Sequence, residues 1–220
     1  MNEDRVFELQ TGERIPVGTM YCIGRNYADH AREMNAPLPE APLVFLKPPA
    51  AFISDGSVVS MPLFSSNIHH EVELVVVIGK DVESITPERA LSCVAGYGVG
   101  IDFTARDIQA KAKENGEPWA VSKGFKGSAP VSVLVPAEQI EQPSILNIAL
   151  KVNGQLRQRG QLDLMERSVE ELICYVAGVF SLRRGDCIFT GTPAGVSKIE
   201  AGDEIEAEIE GRVNLRIRVK

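Results

Sequence analysis

The sequence lacks the features of a secreted, membrane-bound or nucleic-acid-binding protein. None of its apolar stretches approaches the roughly 20 residues that a membrane-spanning helix needs, and the chain does not open with the basic and apolar segments of a secretory signal. Its 23 Lys and Arg against 30 Asp and Glu give a net charge of -7, which argues against a surface for nucleic acid or anionic membranes. We therefore expect a cytoplasmic protein with no nucleic-acid or membrane partner.

Cysteine is also scarce, and its spacing excludes two further classes of protein. The four cysteines are scattered and contain no C-x-x-C pair: Cys22, Cys93, Cys174 and Cys187. This spacing argues against a disulfide framework or a zinc site and favours reduced, mostly buried thiols.

The chain does contain enough apolar residues for one substantial core. Its 220 residues, of which 44% are hydrophobic, predict a single domain over residues 1–220. Within it, residues 1–19 have two short apolar runs around the turn residues Thr11 and Gly12, which predicts an N-terminal hairpin appendage. Asn153 and Gly154 predict another hairpin, because Asn-Gly suits a type I′ turn.

Two carboxylates occupy residues 67–79, where the sequence turns from polar to apolar. In an extended chain, residues two apart face the same side, so Glu71 and Glu73 project together with Cα atoms roughly 6.5 Å apart. Two anions held this close need a cation. The apolar run from Leu74 to Ile78 predicts a rigid strand that is buried on both faces. An edge strand with two solvated glutamates explains this segment equally well.

A short helix is predicted over residues 27–34, with Asn26 as its N-cap. His30 and Glu33 lie three residues apart and face the same way, so Glu33 can orient the imidazole as a general base. An exposed helix with an incidental ion pair is the simpler interpretation of this segment alone. A proline-rich loop over residues 35–42 ends the helix, and we hypothesise that helix and loop form a lid over bound substrate.

Glycines mark two further segments. Gly96, Gly98 and Gly100 are spaced G-x-G-x-G and do not open the helix that follows, which argues against a dinucleotide-binding loop. We expect them to permit close backbone approach and to place Asp102 at a strand end. Later, residues 191–195 form a glycine loop whose amides and Thr192 hydroxyl can hold a carboxylate. Ordinary turn chemistry explains that loop equally well.

Five motifs in order resemble those of the fumarylacetoacetate hydrolase family: Gly24-Arg-Asn-Tyr27, His70-Glu-Val-Glu73, Gly98-x-Gly-x-Asp102, Lys123-Gly-Phe125 and Thr190-Gly-Thr-Pro-Ala-Gly-Val196. The resemblance extends from about Met20 onward and is closest to the short branch with acylpyruvate hydrolases and oxaloacetate decarboxylases. It implies a β-rich α+β fold, built on a mixed rolled β-sheet with short peripheral helices. It also implies a homodimer.

The resemblance makes Glu71, Glu73 and Asp102 the ligands of a divalent metal. An all-oxygen set with three negative charges suits Mg²⁺ or Mn²⁺, and Ca²⁺ can substitute. About three coordination positions remain, and a 2-oxo acid substrate can take two of them through its carboxylate and 2-oxo oxygen. The metal would then stabilise the enolate that forms when a bond to C3 breaks.

The resemblance also implies roles for the polar residues around the metal. His30, paired with Glu33, would take a proton from the water that attacks the remote carbonyl of an acylpyruvate. Five residues would stabilise developing oxyanions or hold the substrate: Lys123, Arg106, Gln109, Arg25 and Thr192. Arg25 can instead fix the turn before the helix. We expect His70 to support the metal ligands and His69 to be structural.

We therefore expect a metal-dependent hydrolase that cleaves the C–C bond of acylpyruvates, which are 2,4-dioxo acids, to pyruvate and a carboxylic acid. Oxaloacetate decarboxylation through the same enolate is a second expected activity. The alternatives are an isomerase or decarboxylase of unsaturated oxo-dicarboxylic acids in aromatic degradation and an oxaloacetate keto-enol tautomerase. A binding protein without turnover would leave His30, Glu33 and Lys123 without a function.

Overall fold

The computed structural model describes residues 5–220 and is dominated by β-structure. Its strands, in chain order, are β1 (Val6–Glu8), β2 (Arg14–Pro16), β3 (Met20–Gly24), β4 (Leu43–Lys47), β5 (Phe52–Ser54), β6 (Val58–Val59), β7 (Ile68–His70), β8 (Val72–Ile78), β9 (Val94–Ile101), β10 (Thr104–Ala105), β11 (Ala129–Val131), β12 (Val135–Pro136), β13 (Asn147–Val152), β14 (Gln155–Gln161), β15 (Cys187–Phe189), β16 (Ser197–Lys198), β17 (Glu204–Ile209) and β18 (Val213–Val219). The α-helices are α1 (Ala28–Glu33), α2 (Pro87–Ala90), α3 (Arg106–Asn115), α4 (Ala120–Lys123) and α5 (Val169–Phe180).

A large mixed sheet forms the centre of the molecule. Its strand order is β4-β3-β15-β8-β9-β11-β5, and β12 pairs with β9 beside β11. The β15–β3 and β11–β5 pairs are parallel, whereas β8 is antiparallel to both of its neighbours. A second sheet has the order β14-β13-β17-β18-β6, and a small one has the order β10-β7-β16. The predicted β-rich α+β fold with short helices is confirmed.

Strand β8 is buried on both faces, as its apolar run predicts. Leu74, Val76 and Ile78 pack into the larger core, while Val75 and Val77 pack into a smaller core on the opposite face. Glu73 lies two residues before Val75 in the strand, so its side chain points to the same face as those of Val75 and Val77. This rigid, fully covered strand holds one end of the candidate site.

The N-terminal segment forms the predicted hairpin, in which β1 pairs antiparallel with β2. Its apolar residues Phe7, Leu9 and Ile15 belong to the smaller core beside β8. Residues 1–4 of the proposed appendage lie outside the described residues. The division into one domain with an appendage stays a prediction.

Several local predictions are confirmed and two need correction. Ser168 and Glu171 form the reciprocal capping box of α5, and the turn at Asn153 and Gly154 has positive φ angles of 51° and 75°. Asn26, however, is not the N-cap of α1, because its side chain instead donates to the carbonyls of Thr190 and Arg167. The strand predicted over residues 67–79 is also interrupted, since β7 ends before Glu71 and β8 begins after it.

Candidate active site

Three buried carboxylates meet where two central strands begin and end. Glu71 lies in the break between β7 and β8, Glu73 lies in β8, and Asp102 directly follows β9. The Asp102 amide donates to the Glu71 carbonyl at 2.8 Å, which fixes the two backbones beside each other. One carboxylate oxygen from each residue lies within 4.8 Å of the other two. The structure therefore brings together the three residues that the sequence predicts as metal ligands.

The approach of β9 to the rest of the core depends on its glycines. Gly100 lies opposite Glu73 across the β8–β9 pair. A Cβ at Gly100 would lie 2.5 Å from a Val75 methyl and 2.7 Å from the Phe189 ring. The predicted role in close packing is confirmed for this glycine, and the close packing helps to position Asp102 at the end of the strand.

Two of the carboxylates are already paired with buried or half-buried cations. The Lys123 ammonium lies 2.8 Å from Glu71 Oε2 and 2.5 Å from Asp102 Oδ2, and Arg106 forms a salt bridge with Glu71. Burial raises the pKa of Glu71, but the charges of Lys123 and Arg106 outweigh burial and hold the pKa well below its usual range. Glu71 is therefore ionised without any metal.

Glu73 differs from the other two carboxylates. Among residues 5–220 it forms no salt bridge, and its one hydrogen-bond donor is the Gly191 amide at 2.7 Å. Burial, followed by the charges of Asp102 and Glu71, raises its pKa well above the usual range. A divalent cation fits this arrangement, because all donors are hard carboxylate oxygens and Glu73 lacks a counter-charge.

The raised pKa of Glu73 predicts that metal binding releases a proton. In the metal-free protein Glu73 is protonated at any pH below its raised pKa, and coordination requires the carboxylate. Affinity for Mn²⁺ should therefore increase with pH until that pKa is passed. Titration calorimetry in two buffers of different ionisation enthalpy measures the protons released. An equal heat in both buffers would show that Glu73 is already ionised.

His30 and Glu33 form the predicted pair on α1. His30 Nδ1 lies 3.2 Å from Glu33 Oε2, and the side chain of His30 is 8% exposed against 33% for Glu33, so the contact joins a buried imidazole to a partly exposed carboxylate. Glu33 also accepts a hydrogen bond from the Gly195 amide at 3.1 Å. Helix α1 is thereby fastened to the glycine loop.

The glycine loop at residues 191–195 does hold carboxylates, but they belong to the protein. The Gly191 amide donates to Glu73 and the Gly195 amide donates to Glu33. These two amides are therefore not free for a substrate, which corrects part of the sequence-based interpretation. The Thr192 hydroxyl remains, and it lines the cavity.

Most of the predicted residues line one cavity beside the triad: Arg25, His30, Glu71, Glu73, Arg106, Gln109, Lys123 and Thr192. Phe45 and Trp119 provide an apolar wall, with ring centroids 5.9 Å apart. Arg106 donates to the Gln109 side-chain oxygen at 2.9 Å, which leaves the Gln109 amide nitrogen to donate to a ligand. The Arg25 guanidinium donates to the Pro37 carbonyl at 3.2 Å, so Arg25 fastens the proline-rich loop.

Lys47 is a residue of the site that sequence reasoning missed. Its ammonium is fully buried and lies 2.8 Å from Asp102 Oδ1. It also donates to the carbonyls of Phe103 and Ser128 at 3.3 Å and 3.0 Å and to that of Lys123. The alternation of β4 places Lys47 on the same face as Phe45, and that signal could have identified it as inward-facing.

Three buried carboxylates beside a His–Glu pair, set in a mixed β-sheet, define an enzyme suited to a divalent cation. Residues 19–220 match the family model for the fumarylacetoacetate (FAA) hydrolase C-terminal domain. The chain belongs to the fumarylacetoacetate hydrolase family, as its five motifs indicate.

Similar proteins extend over almost the whole chain. The mitochondrial oxaloacetate tautomerase FAHD1 of Mus musculus is 48% identical over 199 residues, which are 90% of each chain. The crystal structure of fumarylpyruvate hydrolase from Pseudomonas aeruginosa in complex with Mn²⁺ and pyruvate has a TM-score of 0.94 and 40% identity, covering 100% of this chain and 97% of that one. The 5-carboxymethyl-2-hydroxymuconate delta-isomerase of Mycobacterium smegmatis has a TM-score of 0.83 and 34% identity, covering 94% and 80%.

These similarities confirm the family's mixed, curled sheet as the fold of this chain. None of the helices within residues 5–220 is both long and apolar enough to cross a membrane. The FAHD1 proteins are named as mitochondrial, so the cytoplasmic location stays a prediction.

Proposed function

We propose that the enzyme hydrolyses the C–C bond of acylpyruvates, giving pyruvate and a carboxylic acid, with a divalent cation held by Glu71, Glu73 and Asp102. The observation that supports this reaction is the buried imidazole of His30, held by Glu33, on the cavity that Glu71 and Glu73 also line. Mg²⁺ or Mn²⁺ is the proposed cation, with Ca²⁺ as a substitute. The Mn²⁺ and pyruvate bound to the Pseudomonas aeruginosa enzyme support a 2-oxo acid ligand.

The His30–Glu33 contact determines which nitrogen is the base. A carboxylate only accepts hydrogen bonds, so Nδ1 donates to Glu33 and Nε2 of the neutral imidazole keeps its lone pair. His30 Nε2 would take a proton from water, whose oxygen attacks the carbonyl remote from the substrate carboxylate. The C–C bond to C3 then breaks, its electron pair forms the enolate of pyruvate, and C3 takes up the proton that His30 removed from water. When bound, the cation supplies positive charge that stabilises this enolate.

Lys123 is the proposed catalytic cation beside the developing oxyanion; its three N–H groups donate to Glu71, Asp102 and Thr104, so it would act through its positive charge. Burial lowers the pKa of Lys123, but the charges of Asp102 and Glu71 outweigh burial and raise it, so the ammonium stays protonated. The Gln109 amide and the Arg106 guanidinium would assist in holding the substrate, and Thr192 would hold its carboxylate. A preorganised donor of this kind contributes about 3–4 kcal/mol in the transition state.

The cavity beside the triad has a volume of about 40 Å³ and lies next to α1 and the proline-rich loop, because its lining includes His30 of α1, Met34 at the end of that helix, and Arg25, which is joined to the loop. We propose that α1 and residues 35–42 move as the lid, because the hydrogen bonds that fasten these segments are exposed: Gly195 to Glu33, Arg25 to the Pro37 carbonyl and Arg167 to the Glu40 carbonyl. Crystals with and without oxalate test the proposal, and identical ordered density for residues 26–39 in both would contradict it.

Replacing His30 by alanine should lower kcat by about 10²–10⁴-fold, since the general base is lost. Pyruvate release from acetylpyruvate, coupled to NADH oxidation by lactate dehydrogenase, measures the effect. The matched control is Arg32→Ala on the same helix, because the Arg32 side chain is 76% exposed and, within the described part of the chain, pairs with the exposed Asp29 alone. Equal activity of His30→Ala and Arg32→Ala would exclude His30 as the base.

The same assay tests the proposed function itself. We expect the wild type to release pyruvate from acetylpyruvate with Mg²⁺ or Mn²⁺ and to lose this activity with a chelator. Release from oxaloacetate must exceed the metal-only blank to count as decarboxylation. No turnover of acetylpyruvate in the presence of metal would contradict the hydrolase proposal.

A second candidate, oxaloacetate keto-enol tautomerisation, is favoured by the 48% identity with the FAHD1 protein of Mus musculus. It needs a proton transfer at C3 and the same cation, but no attacking water. Decay of the enol absorbance of fresh oxaloacetate measures it directly. Fast enol decay without pyruvate release would make tautomerisation the main activity, and no turnover of either substrate would direct the search to unsaturated oxo-dicarboxylic acids.

The homodimer stays a prediction, which analytical ultracentrifugation checks.

A further inference from the structure

The structure assigns a positioning role to Gln158, a buried residue of β14 that the mechanism above does not use. We propose that Gln158 sets the direction of the Thr192 hydroxyl, so that its proton points at the carboxylate of a bound 2-oxo acid. This inference rests on the proposed function, which makes Thr192 the residue that holds the substrate carboxylate.

Gln158 is 1% exposed and uses its full hydrogen-bonding capacity. Its oxygen accepts from the Val72 amide at 3.0 Å and lies 2.8 Å from His70 Nδ1. Its amide nitrogen donates to Thr192 Oγ1 and to the Pro193 carbonyl, both at 2.8 Å. A buried side-chain amide with two accepted and two donated hydrogen bonds is fully satisfied.

Two backbone groups fix the orientation of this amide. The Val72 N–H can only donate and the Pro193 carbonyl can only accept, so the oxygen and nitrogen of Gln158 cannot be interchanged. Thr192 Oγ1 must therefore accept from Gln158, and its own O–H has to donate to a different group. Thr192 is 2% exposed and lines the cavity that also contains Glu71 and Glu73. Within residues 5–220 this hydroxyl donates to no acceptor, and a ligand anion in the cavity would supply one.

The network continues behind Gln158. Because the Gln158 oxygen accepts, His70 Nδ1 donates to it, and His70 Nε2 is left to accept from the Ser197 hydroxyl at 2.8 Å. His70 is 0% exposed. All donors in the series Ser197, His70, Gln158 and Thr192 consequently point the same way, toward the cavity. Hydrogen bonds in such a series polarise one another, which strengthens the last donor.

Gln158 also connects the two sides of the site. Val72 lies between Glu71 and Glu73 on the chain, while Thr192 and Pro193 belong to the glycine loop. One amide therefore sets the position of the Thr192 hydroxyl relative to the carboxylates that would hold the cation. A 2-oxo acid that contacts both the cation and the Thr192 hydroxyl would need this spacing.

The test is Gln158→Glu, which keeps the shape but cannot donate to Thr192 or Pro193. The Thr192 hydroxyl would then turn to the new carboxylate and away from the cavity. We expect the affinity of the Mn²⁺-loaded enzyme for oxalate, the probe, to fall about 10–100-fold, as for loss of a hydrogen bond to a charged group. The KM for acetylpyruvate should rise by a similar factor with a smaller change in kcat. Gln161→Glu on the same strand is the exposed control and should bind oxalate as the wild type does.

A double-variant cycle separates positioning from general damage. If Gln158 acts through Thr192, then Gln158→Glu should have little further effect on oxalate binding in a Thr192→Val background. Additive losses, or a parallel loss of Mn²⁺ affinity measured by electron paramagnetic resonance, would overturn the inference. Should Gln158→Glu fail to fold, Gln158→Met serves in the same cycle. Oxalate binding does not depend on which reaction is catalysed, so an enzyme inactive on acetylpyruvate can still confirm or refute the role of Gln158.

Discussion

Replacement of Glu73 by glutamine is expected to abolish metal-dependent turnover without weakening the metal-free protein. Glu73 forms no salt bridge within the described residues, so no cation loses its partner. The glutamine oxygen can still accept from the Gly191 amide. Loss of one of three charged ligands should lower activity by about 10³-fold or more, given that one stabilising donor alone contributes 10²–10³-fold.

The stability of the metal-free variant is the distinguishing part of this prediction. Because the folded-state pKa of Glu73 is raised, its contribution to stability is present at low pH and is lost as pH rises through that raised pKa. At neutral pH the variant should therefore be as stable as the wild type or more stable. Glu71→Gln is the contrasting variant, since it leaves Arg106 and Lys123 with fewer counter-charges. Chemical unfolding of both variants with chelator present measures the difference. Equal destabilisation of the two variants would contradict the assignment.

Replacement of Lys47 by methionine is expected to destabilise the protein by about 3–5 kcal/mol, as for removal of one partner from a buried ion pair. The change would leave Asp102 with Lys123 as its remaining basic partner among the described residues. It would also remove the shared donor of the Phe103, Lys123 and Ser128 carbonyls. Since Asp102 is a proposed ligand, Mn²⁺ affinity should also change.

Urea unfolding of the metal-free protein measures the effect of Lys47→Met. Lys113→Met is the matched control, because Lys113 also lines the cavity but is exposed, and its ammonium lies over the Trp119 ring, 5.2 Å from the ring centroid. The control should change the free energy of unfolding by less than about 1 kcal/mol. A similarly small change for Lys47→Met would show that the buried lysine does not stabilise the site.

Local sequence patterns predicted the parts of the site that depend on spacing along the chain. The two-residue period placed Glu71 and Glu73 together, and it did so even though the strand is interrupted at Glu71. The three-residue spacing of His30 and Glu33 predicted their contact on α1. The position of Asp102 after a glycine-rich strand was also predicted. That Asp102 joins Glu71 and Glu73 as a ligand was implied by the resemblance alone, because their contact depends on the pairing of β8 with β9, which spacing along the chain does not predict.

Contacts between distant segments could not be predicted in this way. Asparagine is a common N-cap residue, but the side-chain amide of Asn26 donates instead to the carbonyls of Thr190 and Arg167. Gln158 lies in the polar strand β14, where most residues are exposed, and its sequence neighbours give no sign of burial. Its four partners come from three other segments of the chain. Local sequence patterns therefore do not predict the burial or the partners of such polar residues, because both depend on long-range packing.

The most direct test of the metal site is a crystal structure of the enzyme soaked with Mn²⁺ and oxalate, recorded with Mn anomalous scattering. Our account predicts one strong peak within roughly 2.0–2.6 Å of an oxygen from each of Glu71, Glu73 and Asp102, with oxalate bound to the ion beside Lys123. A peak elsewhere, or none despite binding in solution, would contradict the claim that these three carboxylates hold the cation on which the proposed chemistry depends.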